Sequence, residues 1–333
     1  MVFLAKKLVP AIVVLFIVSV LSFFLINLLP GDPCVAILGP SATTQARNQC
    51  RHDIGLDKSL PARYGQYVGN ALQGNLGKSY LNGQTVGKAI KQALPVTFEL
   101  LIFSQLIALL IAIPLGILAA LRPDGVFDQI STTAAFGLLA IPAFMLGVLL
   151  VYLFAVTFHF LPATGYNQLT DPSSLLTWPW NWRPWDWDWG QNIRSLVLPS
   201  LTLALGSLAV YMRVLRTDMI ATLREDFITM ARAKGMPTRH ILLRHAFRPS
   251  TFALVTVAGI NVGALITGAF IVEYIFQLPG IGLLALNAIY ARDYLVVQGS
   301  VLVVAAGFVI INLLVDLLYT AIDPRTRHAP ATV

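Results

Sequence analysis

The segment Asp226-Phe-Ile-Thr-Met-Ala-Arg-Ala-Lys-Gly-Met-Pro237 is a charged, helix-forming stretch set between long apolar runs. Its residue types suit recognition better than catalysis. Glu225 and Asp226 stand near the start of a predicted helix over Arg224–Lys234, and Arg232 and Lys234 stand near its end, as the helix dipole favours. Gly235 is a natural C-terminal cap and Pro237 stops the helix. A second helix is expected over Arg239–Phe247, carrying Arg239, Arg244 and His245, with Pro249 opening the next apolar run. A merely solvated basic loop would be shorter. This one is long, capped and partly apolar through Phe227, Met230, Ile241 and Leu242, so it reads as a docking element.

Other residues capable of chemistry are scattered. Cys34 and Cys50, the two cysteines of the chain, share one polar segment, and in an oxidising compartment they could close a loop. The alternative is two unconnected thiols. Gly77-Lys78-Ser79 has the look of a phosphate-binding loop, but the first glycine of that motif would fall at Leu72. No metal site is expected, since His52, His159, His240, His245 and His328 are dispersed and no His/Cys cluster exists. Paired acid, base or metal ligands of a membrane-embedded enzyme are absent, so the chain is not expected to be an enzyme by itself.

These residues must be positioned by membrane-spanning elements. Hydrophobic residues make up 56% of the 333 and charged ones 12%, with a mean hydropathy of +0.72. A bilayer core of roughly 30 Å needs about 20 apolar residues per helix. Six runs qualify: Leu8–Leu29, Val96–Leu121, Ser131–Phe158, Leu196–Met212, Thr251–Ile275 and Leu295–Tyr319. The fold class expected is an all-α polytopic membrane protein with six transmembrane helices. The first run, although preceded by Lys6-Lys7, is too long for a signal peptide and is taken as a retained anchor. Lys6, Lys7, Arg122, Arg325 and Arg327 fall on one side with Arg213, Arg216, Arg224, Arg232, Lys234, Arg239, Arg244 and Arg248, which places both termini in the cytoplasm. The net charge of +7 is thus mostly a topology signal, and no basic face with aromatic platforms suggests nucleic-acid binding. The organisation is an N-terminal span (1–30), an extracytoplasmic segment (31–95), a core of five spans (96–321) and a cytoplasmic tail (322–333). The core includes an external loop (159–195) and the basic cytoplasmic loop (213–250).

All six tryptophans, Trp178, Trp180, Trp182, Trp185, Trp187 and Trp189, lie in that external loop. An interfacial belt explains them; an aromatic contact surface for an external protein is the alternative. Within the spans, polar groups are few. Glu99 and Glu273 sit at external helix ends and Asp316 near a cytoplasmic end, where each could reach water. Asn261 lies mid-span beside Gly259 and Gly263, a spacing that lets helices approach closely. Its side chain suits a helix–helix hydrogen bond, and Asn261, Gly263 and Glu273 are the candidates for lining a path. Pro114, Pro142 and Pro199 should kink their helices.

Asp226-Phe-x-x-x-Ala231-Arg-Ala-Lys-Gly235 followed by Arg244-His-Ala-x-Arg248 resembles the coupling loop, or EAA motif, of bacterial ABC importer permeases in its peptide-importer form. Further matches run the length of the chain. They are Leu29-Pro-Gly-Asp-Pro33, Gly74-Asn-Leu-Gly77, Thr267-Gly268, Glu273-x-x-Phe-x-x-Pro-Gly-Ile-Gly282, Ala291-Arg-Asp-Tyr294 with Val297-Gln298, Asn312-Leu-Leu-Val-Asp316 and Asp323-Pro-Arg325. Together they resemble the dipeptide/oligopeptide permease family, B-type subunit; Thr229 and Met230 depart from the general motif, which has Glu and Ala there. The resemblance implies the type I importer permease fold in a bacterial inner membrane. It also implies a heterodimer with a second homologous permease, two cytoplasmic ABC ATPases that bind ATP and Mg, and an extracytoplasmic peptide-binding protein. No cofactor is implied in this chain. Asp226, Phe227, Met230, Ala231, Arg232, Lys234, Gly235, Arg239, Arg244 and His245 would couple to the ATPases, the small Ala231 and Gly235 fitting a groove. Related permeases carry glutathione or nickel complexes, so another small solute is the alternative cargo. A secondary transporter or a membrane scaffold would be different classes, but neither broken repeats nor midplane charges favour the first.

Overall fold

The computed structural model describes residues 2–28, 33–39, 41–167 and 189–322. Among them the secondary structure is helical, with strand pairing limited to one bridge between Lys78 and Thr85. The helices are α1 Val2–Leu28, α2 Pro33–Leu38, α3 Thr44–Asp53, α4 Leu60–Leu72, α5 Val86–Leu121, α6 Val126–Ala140 and α7 Ala143–Thr157. After the undescribed loop come α8 Trp189–Thr222, α9 Asp226–Ala233, α10 Thr238–Phe276, α11 Ile281–Tyr290 and α12 Tyr294–Ile322. Four of these, α5, α8, α10 and α12, are long and apolar enough to cross a membrane, and the bent pair α6–α7 makes a fifth candidate.

The third expected span, Ser131–Phe158, is not one helix. It breaks at Ile141-Pro142 into α6 and α7, which meet at 104°. The proline ring bars Ile141 from helical geometry, and Ile141 is extended with φ −91° and ψ 124°. What was read as a kink is therefore a full break. The other boundaries lengthen: α5 has 36 residues, about 54 Å at 1.5 Å per residue, so part of it stands outside a 30 Å apolar layer. It runs through Pro114 without interruption, as α8 runs through Pro199. The ten-residue apolar α11 was not foreseen, being too short for a span.

Contacts divide the chain into two units. One holds the described residues up to Thr97 with Leu278–Ile310. Here Val86, Ile90, Ala93, Ile281, Ala288, Val296 and Val297 form an apolar core, and the Ile281 amide donates to Thr97 Oγ1 at 2.9 Å to seat the start of α11. Cys34 and Cys50 are disulfide-bonded, their Cα atoms 5.9 Å apart, which ties α2 to α3. The second unit comprises the described residues of 98–277 and those from Ile311 onward. Its core gathers Ala108, Ala112, Ala204, Ala209, Tyr211, Met212, Leu215, Met219 and Leu254 around α8. Small residues let the helices close: a Cβ on Gly259 would lie 2.2 Å from Val315 Cγ1, and one on Gly116 would lie 3.2 Å from the Met212 carbonyl.

Candidate functional site

The short helix α9 is specified by its own ends. Glu225 is extended at the N-cap, with φ −70° and ψ 149°, Asp226 occupies the first turn and Arg232 the last. At the C-terminus Gly235 takes φ +73°, a conformation that costs a side-chain-bearing residue energy and glycine almost none. The Gly235 amide donates to the Arg232 carbonyl at 2.9 Å and the Met236 amide to the Ala231 carbonyl at 3.3 Å. This is a Schellman stop, completed by Met236 packing on the cluster that contains Ala231.

That cluster fixes the orientation of α9. Ile228, Ala231 and Ile241 are buried together, with Leu223 and Met236 against them. The opposite face is outward: Met230 is 60% and Phe227 41% exposed, and Asp226, Arg232, Lys234 and Gly235 are exposed too. Ala231 therefore needs correction as a docking contact, because it is 6% exposed and serves the internal seam. The second helix of the loop also differs from expectation. Instead of a separate Arg239–Phe247 helix, α10 runs unbroken from Thr238 through Pro249 to Phe276, with π-type winding over Ile241–Ala246. Arg239 and Arg244 are exposed on it; His245 is half-buried, 5.4 Å from the His240 ring, with a buried Nε2 lacking a hydrogen-bond partner. The α8 terminus joins the same assembly, since Thr222 and Ser250 hydroxyls lie 3.4 Å apart. The Ile228–Ile241 seam thus joins α9 to the base of α10.

The span polar groups turn inward. The Tyr211 hydroxyl donates to Gln105 Oε1 at 2.9 Å, and Asn261 Nδ2 donates to Tyr211 at 3.0 Å and to Ser207 Oγ at 2.7 Å. Asn261 is thus committed to binding α8, as its helix–helix reading expected. Gly263 lies half-buried two residues further on. Glu273, expected to reach water, is fully buried. Glu99 is half-buried and accepts from Tyr166 at 2.6 Å and Asn192 Nδ2 at 3.1 Å. Burial first, and then the hydrogen bond to Glu99, raises the Tyr166 hydroxyl pKa above its ordinary range. Two residues missed in the sequence make the best-buried ion pair among the described residues: Arg216 donates from Nε and Nη2 to Asp128, which is 2% exposed. The Asp124 amide also donates to Asp128 at 2.8 Å. Trp178, Trp180, Trp182, Trp185 and Trp187 lie outside the described residues, as do Arg325, Arg327, residues 29–32 and the Asp323-Pro-Arg325 match; the side chains of Trp189 and Asp316 do so as well. No group of three or more His, Cys, Asp or Glu able to hold a metal occurs among the described residues.

The family described as binding-protein-dependent transport system inner membrane component matches residues 112–328, and its N-terminal counterpart matches residues 1–101. The chain belongs to this family. The inner-membrane component is a multi-pass bacterial inner-membrane protein and a non-catalytic permease subunit. It is 38% identical over 323 residues to a protein of Brucella abortus named as a peptide transport system permease, covering 97% of this chain and 98% of that one. It is 34% identical to a Sinorhizobium fredii protein named as a peptide ABC transporter permease, across 98% of this chain and 99% of the relative. A glutathione transport system permease protein of Escherichia coli K12 is 35% identical, again across 98% and 99%. The α9–α10 elbow lies within the matched residues and turns a basic and apolar face outward.

Proposed function

We propose that this permease forms half of the translocation path of an ATP-driven peptide importer, and that α9 with the base of α10 receives the ATPases. The six spans are α1, the α6–α7 pair, α5, α8, α10 and α12, with both termini in the cytoplasm. A second homologous permease completes the path. Two cytoplasmic ATPases bind ATP and Mg, and an extracytoplasmic binding protein delivers peptide. The observation that carries this reading is the division of α9. Its inner face, Ile228 and Ala231, is packed on Ile241, while Phe227, Met230, Arg232 and Lys234 are presented outward. An exposed apolar pair flanked by cations suits a partner groove with acidic rims.

Reconstitution of the permease pair, ATPases and binding protein in liposomes tests it, with labelled di- and oligopeptides and glutathione as cargo. ATP-dependent peptide uptake requiring every component is expected. Phe227→Asp or Arg232→Glu combined with Lys234→Glu should lower uptake and stimulated ATPase activity about tenfold or more while the complex still assembles, on the scale of hot-spot losses. Full transport by both variants overturns the coupling role, and uptake driven by an ion gradient alone overturns the ABC importer.

A further inference from the structure

Residues of the first unit line a half-open cavity of about 380 Å³, within the roughly 300–1,000 Å³ of small-molecule sites. One wall is α4, which presents Arg63, Gln66, Tyr67 and Asn70 to it. Their i, i+3, i+4, i+7 spacing makes them a single helix face. A helix that only sealed an apolar core would carry aliphatic residues there. The opening is charged: Asp53, Asp57, Lys58 and Arg63 line the cavity, and His52 Nε2 lies 4.0 Å from Asp57. Tyr67 shapes this wall: it is 8% exposed, its hydroxyl is buried beneath the cavity surface, and its ring packs on Phe23.

The rest of the cavity is held to shape by features the coupling role does not use. Asn75, Leu76, Gly77, Tyr294 and Gln298 line it, so the Gly74–Gly77 and Ala291–Gln298 stretches meet there. Gly77 has φ +90°, its amide bonds Asn75 Oδ1 at 3.0 Å, and a Cβ on it would lie 2.9 Å from Leu295 Cδ1. Ser79 Oγ donates to Asp293, which is 3% exposed, pinning the turn after Gly77 to the start of α12. The Cys34–Cys50 bond anchors α3, whose last residue is Asp53.

We infer that this cavity binds a short zwitterionic peptide: Lys58 and Arg63 face its carboxylate, and Asp53 and Asp57 its ammonium group. The peptide class rests on the importer reading; the existence of a dipolar site rests on the cavity alone. The site would hold cargo on the permease itself, apart from the binding protein.

Equilibrium dialysis of radiolabelled glycyl-leucine against the intact complex in nanodiscs, without binding protein, tests the inference. Saturable binding is expected, displaced by unlabelled dipeptide and not by N-acetylglycyl-leucinamide. Arg63→Gln should weaken it about tenfold, as loss of a charge-assisted hydrogen bond does. Lys58→Gln, at an exposed position, should weaken it several-fold with an unchanged melting curve. Absence of wild-type binding, or binding unchanged in both variants, overturns the site. A wild-type complex that imports peptide yet shows no such binding removes the site and leaves the importer standing. One that binds dipeptide but drives no peptide uptake does the reverse.

Discussion

Arg216 and Arg232 belong to the same basic stretch of sequence, yet the fold treats them oppositely. Arg216, near the end of α8, is turned inward and locked to a carboxylate 88 residues upstream, Asp128, itself 2% exposed. Arg232 and Lys234, on and after α9, face outward beside exposed Phe227 and Met230. A charge count that sets membrane orientation weighs these cations equally. Their energetic roles differ: a pair whose carboxylate is buried tolerates the loss of one partner poorly, whereas exposed charges contribute little to stability and are free to serve recognition.

The sharpest way to break this contrast is Asp128→Ala. Removing Asp128 should cost about 3 kcal/mol, the low end of the range for a buried pair, because Arg216 is 21% exposed and keeps part of its hydration. The variant should therefore show a large fall in melting temperature in detergent or nanodiscs. Arg232→Ala and Lys234→Ala should stay within about 0.5 kcal/mol of the parent. Asp128→Leu with Arg216→Met should recover most of the loss, since apolar replacement of a whole buried pair is often neutral. Wild-type melting of Asp128→Ala would mean that the inward charge is no more structural than the outward ones.

A smaller effect is expected where the inward region depends on shape. Gly259→Ala would put a methyl 2.2 Å from Val315 Cγ1, and overpacking of this kind costs about 1–3 kcal/mol. Gly206→Ala on α8 is the control, because a Cβ there meets nothing within 4 Å and helix propensity favours alanine by about 1 kcal/mol. Opposite signs in the two melting shifts sharpen the picture of α10 packed tightly at one glycine. Equal shifts would dissolve it.

What the sequence disclosed follows the same division. The α9 segment is legible because Glu225, Asp226, Arg232, Gly235 and Pro237 act within one short stretch, where capping and dipole rules apply locally. The inward contacts span large separations: Asp128 with Arg216, Glu99 with Tyr166 and Asn192, Gln105 with Tyr211. No periodicity in one helix announces a partner on another. Hydropathy likewise marked 131–158 as one apolar run, although the geometry demanded of Ile141 by Pro142 splits it, and α11 fell below the length that marks a span. Ala231 shows the limit of residue type as a guide. Its smallness suited a partner's groove, yet the burial of Ile228 three residues earlier places it on the internal seam.

The finest test concerns the polar layer joining α5, α8 and α10. Tyr211→Phe removes the hydroxyl that donates to Gln105 and accepts from Asn261, while Asn261 keeps its 2.7 Å bond to Ser207. Interhelical hydrogen bonds within membranes average only about 0.6 kcal/mol, since the separated helices also find partners. A loss of about 0.6–1.7 kcal/mol with unchanged KM for peptide uptake is therefore expected if Asn261 serves the helix interface. The informative failure would be a changed KM with unaltered stability. That outcome would return Asn261 to the path, because Tyr211, fully buried, can influence cargo only through the groups it holds.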